Sequence, residues 1–480
     1  MNYHGVLYLL GRLLLGLAGA LLMPAIVDLS SGRSPTVYFG SAAAVGAVGL
    51  TIERLFRQRE RFQFGRREAF LLVTTAWVVA SLVGAVPYVW VKGPGFFVNA
   101  LFESASGFTT TGASVIPDVE AQPPSLLLWR SLTQWLGGMG IIVLGIAILP
   151  KLAVGGMELL GAEVPGPVTE KLTPRISQTA KALWGIYGLL TGGQVLVLSL
   201  LGMNPFEAVN HAFTTMATGG FSTRNASVGT FHSPAIEMAI TGFMILAGIN
   251  FAVHFQFLTG KVRAVLRDPE FRFYLGIFAG AAMLVAIDLY TRAHETVFDA
   301  VRLATFQVAS VLTTTGYATA DFGLWSSFAQ ALLFLLMFVG GCSGSTGGSV
   351  KVVRFVIIGK KLVVDLKRML QPHAVLPVRV GNKAIPEDDV TSVTTYFILF
   401  LSLFAIGGLL LTGLGLDMVS AFSASATCLG NIGPGFGVVG PAETFVGLPA
   451  AAKLILAALM IVGRLELYTV LVTLFLARRM

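Results

Sequence analysis

The stretch Phe102-Glu103-Ser104-Ala105-Ser106-Gly107-Phe108-Thr109-Thr110-Thr111-Gly112-Ala113 returns, altered, three more times along the chain. The second copy reads His211-Ala212-Phe213-Thr214-Thr215-Met216-Ala217-Thr218-Gly219-Gly220-Phe221-Ser222-Thr223. The third reads Phe306-Gln307-Val308-Ala309-Ser310-Val311-Leu312-Thr313-Thr314-Thr315-Gly316-Tyr317. The fourth reads Ala424-Ser425-Ala426-Thr427-Cys428-Leu429-Gly430-Asn431-Ile432-Gly433-Pro434-Gly435. Aligned on Gly112, Gly219, Gly316 and Gly433, the copies recur at intervals of roughly 100 residues. Each is a short semi-polar run, helix-like in pattern, that ends at a glycine.

Outward from each copy the sequence becomes strongly apolar. Of the 480 residues, 55% are hydrophobic and only 12% charged, where a soluble protein of this size carries about 25% charged residues. A bilayer core needs about 20 apolar residues per helical span. By that rule ten spans can be drawn, at 5–28, 35–53, 68–91, 125–150, 180–202, 234–258, 272–291, 326–370, 391–412 and 450–477. Each copy falls between two of the last eight. The expected fold is an all-α polytopic membrane protein: two N-terminal helices, then four helix–pore-loop–helix repeats in pseudo-fourfold arrangement around one pore. The boundaries read as an N-terminal pair at 1–67 and repeats at 68–177, 178–270, 271–385 and 386–480, the third with a broken second helix.

The net charge of +8 could suggest nucleic acid, but the basic residues cluster between spans. Arg54, Arg57, Arg59, Arg61, Arg66 and Arg67 follow the second span, Lys151, Lys171 and Arg175 the fourth, and Lys261, Arg263 and Arg267 the sixth, while Lys360, Lys361, Lys367, Arg368, Arg379 and Lys383 lie at the end of the eighth and in the segment after it. All fall on one side of the ten-span scheme; the other side holds few, among them Lys92 and Arg224. The positive-inside rule puts the basic side and both termini in the cytoplasm, and no nucleic-acid partner is expected. Cys342 and Cys428 have no metal-ligand or disulfide-framework spacing and read as buried thiols.

Four similar loops at membrane depth need a common explanation. A loop facing lipid leaves its amides and carbonyls unsatisfied, so non-helical backbone must be buried in protein or line a watery path. Four loops around one axis meet that demand and aim their carbonyls at a shared point, where they can replace a cation's hydration shell. Glycine permits the positive φ that turns a carbonyl inward, and threonine supplies hydroxyls to brace the segment or bind an ion. No carboxylate stands beside any of the four glycines; Glu103, nine residues upstream, is expected on a short pore helix or its rim. The plainer reading takes such segments as ordinary re-entrant turns or small-residue helix contacts, and four of them on one side argue against it.

Ser106-Gly107-Phe108-Thr109-Thr110-Thr111-Gly112, Ala217-Thr218-Gly219-Gly220-Phe221-Ser222-Thr223, Thr313-Thr314-Thr315-Gly316-Tyr317-Ala318-Thr319 and Asn431-Ile432-Gly433-Pro434-Gly435 resemble the filter segments of the Trk/Ktr/HKT superfamily of potassium transporters. The resemblance covers nearly the whole chain, and the two extra N-terminal helices favour the Trk type, that of the TrkH/TrkG membrane subunits. It implies a potassium filter formed by Thr110, Thr111, Gly112, Ala217, Thr218, Gly219, Thr314, Thr315, Gly316, Asn431, Ile432 and Gly433. Gly112, where some sodium-transporting relatives carry serine, favours potassium.

The run Gly340-Gly341-Cys342-Ser343-Gly344-Ser345-Thr346-Gly347-Gly348-Ser349, followed by Lys351, should break its helix in mid-membrane. The resemblance makes it an intramembrane gate below the filter, with Gly340, Gly341, Gly344, Ser345, Thr346, Gly347, Gly348 and Lys351 as its residues; a passive kink is the alternative. Arg464, within the final span, is costly there and hence a functional candidate. The resemblance makes it an electrostatic barrier in the pore, and pairing with Glu466 or with carbonyls is the alternative. The resemblance also implies a homodimer and a separate cytosolic nucleotide-binding regulatory subunit of the TrkA type, for which 151–177 and 355–390 are candidate docking segments. It further implies residence in the bacterial inner membrane. This chain is expected to hold no cofactor, with K+ as cargo and nucleotide on the partner.

Two other classes compete. An ion-coupled carrier (H+ or Na+) would also use broken helices near the midplane but needs no four like loops. An intramembrane serine protease is suggested by Gly341-Cys342-Ser343-Gly344 with His254 as base, but the motif is short and requires the base within hydrogen-bond reach. The glycine-rich run lacks the ending of a P-loop.

Overall fold

Apolar stretches bounded by proline, serine, asparagine and aspartate become helices with the expected starts. In the computed structural model, residues 3–57, 65–147, 176–374, 376–381 and 383–477 are described. An N-terminal pair, Tyr3–Ser30 and Thr36–Leu55, leads into Arg66–Lys92. Each of the four quoted stretches forms a short helix, at Phe97–Phe108, Pro205–Met216, Val297–Leu312 and Met418–Gly430. Asn204, Thr296 and Asp417 cap three of them by accepting the backbone N–H groups of Phe206, Asp299 and Ser420. Six helices among the described residues are long and apolar enough to cross a membrane, and a bent pair makes a seventh span. The only strands there form a two-residue hairpin, Arg379–Val380 with Lys383–Ala384.

The C-terminal halves of the short helices sit inside the protein, while first-turn residues such as Val297, Phe298, Met418 and Val419 stay exposed. Phe102, Ala212, Phe306 and Ala424 are wholly buried, and the long helices around them leave leucines and valines exposed on their outer faces, as a lipid-facing surface requires. The N-terminal pair packs on the first repeat through Leu14, Leu21, Tyr38 and Trp129.

Three spans are interrupted where the sequence suggested one break. The expected break in the third repeat is there: Ser327–Leu336 stops and Val352–Leu370 resumes after the glycine-rich run. The span expected to be continuous over 234–258 is instead Pro234–Ala247 and Phe251–Leu258, bent by 100°. Gly248 and Asn250 make this corner, and the Asn250 side chain caps the second half through the Ala252 N–H at 2.8 Å. The final span, expected continuous over 450–477, splits into Ala450–Arg464 and Tyr468–Ala477. Between them Glu466 and Leu467 take positive φ of 60° and 37°. The Glu466 carboxylate pairs with Arg354, which also lies 3.8 Å over the Tyr396 ring. The broken turn thus carries a buried charge that a regular helix would aim elsewhere. Of the basic segment 151–177, residues up to 175 lie outside the described residues, as do Arg59 and Arg61.

Candidate functional site

All four short helices end in the same hydrogen-bonded turn. The N–H of Thr110 donates to Gly107 O (2.9 Å) and that of Thr111 to Ser106 O (2.8 Å). Thr218 and Gly219 donate to Thr215 O (2.9 Å) and Thr214 O (2.8 Å); Thr314 and Thr315 to Val311 O (3.0 Å) and Ser310 O (2.8 Å). Asn431 and Ile432 donate to Cys428 O (3.3 Å) and Thr427 O (2.9 Å). This paired pattern is the Schellman turn, whose closing residue is left-handed. Here those residues are Thr110, Thr218, Thr314 and Asn431, at φ of 54°, 53°, 58° and 55°. Asparagine tolerates that region, but a β-branched threonine gives up roughly 1–2 kcal/mol there, and such strain survives only where the surroundings over-determine it.

Two residues after each left-handed residue comes a glycine with positive φ: Gly112 (84°), Gly220 (73°), Gly316 (82°) and Gly433 (108°). The second member differs from the Gly219 of the sequence alignment. The sequence alone offers two adjacent glycines, and only the backbone turn tells them apart: Gly219 stands in the register of Thr111, Thr315 and Ile432. The steric contacts agree. A Cβ on Gly112 would strike the carbonyl oxygen of Gly219, one on Gly220 that of Thr315, one on Gly316 that of Ile432, and one on Gly433 that of Thr111. The loops therefore close a ring in chain order, each glycine against the carbonyl of the next loop. Gln134 donates to Gly219 O at 2.7 Å. Among the described residues no hydrogen bond reaches the carbonyls of Thr111, Thr315 or Ile432.

The side chains of the ring are buried and mostly braced. Thr109 and Thr111 share a hydroxyl contact of 2.7 Å, as do Thr313 and Thr315. Asn431 Nδ2 donates across the ring to Thr111 Oγ1 at 3.0 Å and to Met460 O at 2.9 Å. Ala217 is wholly buried at the end of its helix. Thr110 Oγ1 is buried without a hydrogen-bond partner, a free oxygen beside the carbonyls. On one face the ring opens to a cavity of about 110 Å³ lined by Gly112, Gly220, Gly316, Pro434, Arg130 and Glu443. Nearby, Asp118 is held below the usual carboxylate range by hydrogen bonds from the Asn225 side chain and the Ala121 N–H.

The glycine-rich run covers the other face. Gly348 donates its N–H to Thr314 Oγ1 at 2.6 Å, and Thr346 Oγ1 donates to Met216 O at 3.0 Å. A Cβ on Gly348 would strike Gly430 O, one on Gly340 would strike Gly348 O, and one on Gly347 would crowd Thr313 O at 3.2 Å. The corner of the second repeat holds the run from the side: Cys342 N–H donates to Gly248 O (2.8 Å), Phe251 N–H to Gly344 O (3.1 Å). A Cβ on Gly341 would sit 2.8 Å from that same Gly248 O, while Gly344 is left-handed at φ 67°. Glu270 accepts the Ser343 N–H at 2.6 Å. Lys351 Nζ contacts Gly347 O and lies 3.5 Å from Ser345 Oγ. Arg464 is buried and donates Nη1 to Thr346 O at 2.6 Å, so it pairs with a carbonyl of the run, and Glu466 pairs with Arg354 instead.

The chain matches the TrkH family model, described as a cation transport protein, over residues 41–478. The chain belongs to the TrkH family. The Trk system potassium uptake protein TrkH of Salmonella typhimurium is 40% identical, the match covering 98% of each chain. The Trk system potassium uptake protein TrkG of Escherichia coli K12 is 35% identical, with 86% of each covered. The crystal structure of the potassium transporter TrkH from Vibrio parahaemolyticus is similar with a TM-score of 0.90 and 36% identity, over 98% of each chain. A TrkH-family chain is a multi-span transport protein, and the named relatives are transporters rather than proteases. In this chain no hydrogen bond joins Ser343 to His254 among the described residues; His254 Nε2 meets Leu246 O at 2.8 Å.

Gln134, Asn250, Glu270 and Arg130 escaped the sequence reading. Asn250 could have been found: a glycine followed two residues later by asparagine is a stop and a cap. The others are single polar residues in apolar runs, whose partners come from distant segments.

Proposed function

We propose that this chain carries potassium ions into a bacterial cell across the cytoplasmic membrane, with the ring of four loops as its filter. The supporting observation is the closed ring of loop backbones, three of whose inward-register carbonyls, Thr111, Thr315 and Ile432, carry no protein hydrogen bond. Such oxygens are available to a dehydrated cation. Four short helices end at the ring, and the partial negative charge of each C-terminus, about half an elementary charge, favours a cation there. The filter comprises Thr110, Thr111 and Gly112; Ala217, Thr218 and Gly219 extended by Gly220; Thr314, Thr315 and Gly316; and Asn431, Ile432 and Gly433. Potassium is the cargo, and the names of the relatives support it over sodium.

In this reading the run from Gly340 to Gly348, anchored by Lys351, closes the path below the filter. Arg464 adds a positive barrier at the same level: the buried guanidinium, whose Nε and Nη2 have no partner, repels a cation leaving the ring. Opening requires the run to leave Thr314, Met216 and Arg464 together. The side carrying the basic loops is cytoplasmic, and both termini lie there. The repeat boundaries proposed from sequence, 68–177, 178–270, 271–385 and 386–480, divide the chain so that each unit contributes one loop. A homodimer and a cytosolic nucleotide-binding regulatory subunit complete the system; the Trk system named in the relatives supports partner subunits.

Rubidium and sodium flux into liposomes containing the purified protein tests this, with wild type and Gly112→Ser side by side. Rubidium flux that potassium blocks, with discrimination against sodium reduced in the variant, is the expected result. Flux indifferent both to ion and to the substitution would overturn it. If flux is absent, the assay is repeated with the regulatory subunit, and continued absence counts against a conducting ring.

A further inference from the structure

Nine residues before each ring glycine stand Glu103, His211, Gln307 and Ala424. The first three are buried, and each reaches from its short helix to the limb of loop that follows its own glycine. The Glu103 carboxylate accepts Ser114 Oγ at 3.0 Å and the Val115 N–H at 2.8 Å. His211 Nε2 meets Ser222 Oγ at 3.0 Å. Gln307 Nε2 approaches Tyr317 O at 3.4 Å, and Ser310 Oγ donates to the same oxygen at 2.6 Å. In the fourth repeat alanine stands at this position, and Ser423 takes over, its hydroxyl bonded to both the N–H and the C=O of Phe436 at 2.9 Å. Each loop is thus tied back to its own helix, by carboxylate, imidazole, amide or hydroxyl.

The junctions between neighbouring loops differ more. Tyr317 of the third loop donates to His211 O at 3.1 Å, joining loops two and three. Asn431 to Thr111 joins loops four and one. Both links are neutral. Between loops one and two stands Arg130, only 2% exposed, from the long helix that follows the first loop. Its Nε meets Glu103 Oε1 at 2.8 Å, Nη2 donates to Ser114 Oγ at 3.1 Å, and Nη1 reaches Ser222 O of the second loop at 3.0 Å. The guanidinium also lies 4.2 Å over the Phe221 ring. One rigid fork spans both outgoing limbs, each bond in a fixed direction, with its charge neutralised by Glu103.

We propose that the Glu103–Arg130 pair sets the spacing between the first two loops and so acts as a selectivity determinant of the ring. The proposal rests on reading the ring as a filter. Neither group is a member of the carbonyl ring; both are positioning residues. Whether discrimination comes from cavity size or from the field of the carbonyls, both depend on how far apart the loops are held. Lysine in place of Arg130 keeps the charge but cannot hold three directions at once.

The test compares rubidium-to-sodium flux ratios in liposomes for Arg130→Lys, Glu103→Gln, Ser114→Ala and, as the filter control, Gly112→Ser, with maximal rate and half-saturating rubidium concentration read separately. The clamp predicts that Arg130→Lys lowers the ratio about tenfold, as for the loss of a charged hydrogen bond, and Ser114→Ala a few-fold. A merely structural role would lower the yield of folded protein and the maximal rate while leaving the ratio alone. Unchanged ratios in the three clamp variants with a changed ratio in Gly112→Ser overturn the clamp and leave the filter standing. No change in any of the four overturns the filter reading itself. Should Arg130→Lys fail to fold, Glu103→Gln and Ser114→Ala, which retain the arginine, decide between the same outcomes.

Discussion

The two faces of the ring follow different rules. On the loop side the four repeats converge: the same pair of hydrogen bonds closes each short helix, a left-handed residue ends it, and two residues on a glycine meets the next carbonyl. On the opposite side they diverge. The second helix of the first repeat runs unbroken over Pro124–Ala147, that of the second bends by 100°, that of the third opens into the glycine-rich run, and that of the fourth splits at Glu466. The difference teaches what each layer must satisfy. A ring of carbonyls works only if every member presents one, so four sequences are held to one backbone path. A cover needs a single segment that reaches across, and the other repeats are shaped to hold it: Gly248 by accepting its N–H, Arg464 by donating to its carbonyl.

The sharpest way to break the comparison is at the adjacent glycines. Gly220→Ala must force a side chain into a positive-φ site against the Thr315 carbonyl, whereas Gly219→Ala meets only the Gln134 side chain. The rubidium-to-sodium flux ratio should fall by up to about a hundredfold in the first, as at the equivalent Gly112, and far less in the second; equal effects would restore Gly219 as the ring glycine. Next comes the fourth repeat's break. Glu466→Gln removes the carboxylate from a buried pair and should cost about 3 kcal/mol, read as a lowered thermal midpoint in detergent. An unchanged midpoint would mean that the pair does not hold the broken turn. Third, Arg464→Ala removes both the proposed barrier charge and a tether on Thr346, and flux should rise about tenfold; flux equal to or below wild type would count against the barrier. The smallest effect is expected from Thr218→Asn, which gives the second loop the residue type found in the fourth. Stability should change by no more than about 1 kcal/mol, upward if at all, with flux retained; a large loss of flux would show that the threonine side chain does more than tolerate the turn.

The repeat was legible because its grammar is local. Semi-polar runs such as Ala309-Ser310-Val311-Leu312 followed by threonines and glycine announce a short helix and a turn, and their recurrence between apolar spans fixes a polytopic all-α chain. The glycine-rich break at 340–349 was equally local. What stayed hidden was either degenerate or distant. Gly219-Gly220 is degenerate, since two adjacent glycines satisfy one pattern equally well until the preceding Thr218 is known to be left-handed. The break at Glu466 is distant, because the partner of its carboxylate is Arg354, 112 residues away along the chain. The corner at Gly248–Asn250 lay between, signalled by its residues but masked by a run apolar enough to pass as one span.

Closure carries a consequence of its own. In an open row of loops each could shift alone, and substitutions in different repeats would act independently. Around a closed circuit the displacements must cancel, so a loop that moves outward obliges its neighbours to move with it. Distant members of the circuit are then energetically linked without touching. Paired substitutions at Gly112 and Gly316, two steps apart around it, would depart from the sum of the single effects, as sites coupled through shared backbone do. In this respect the four loops act as one hoop rather than as four separate contacts.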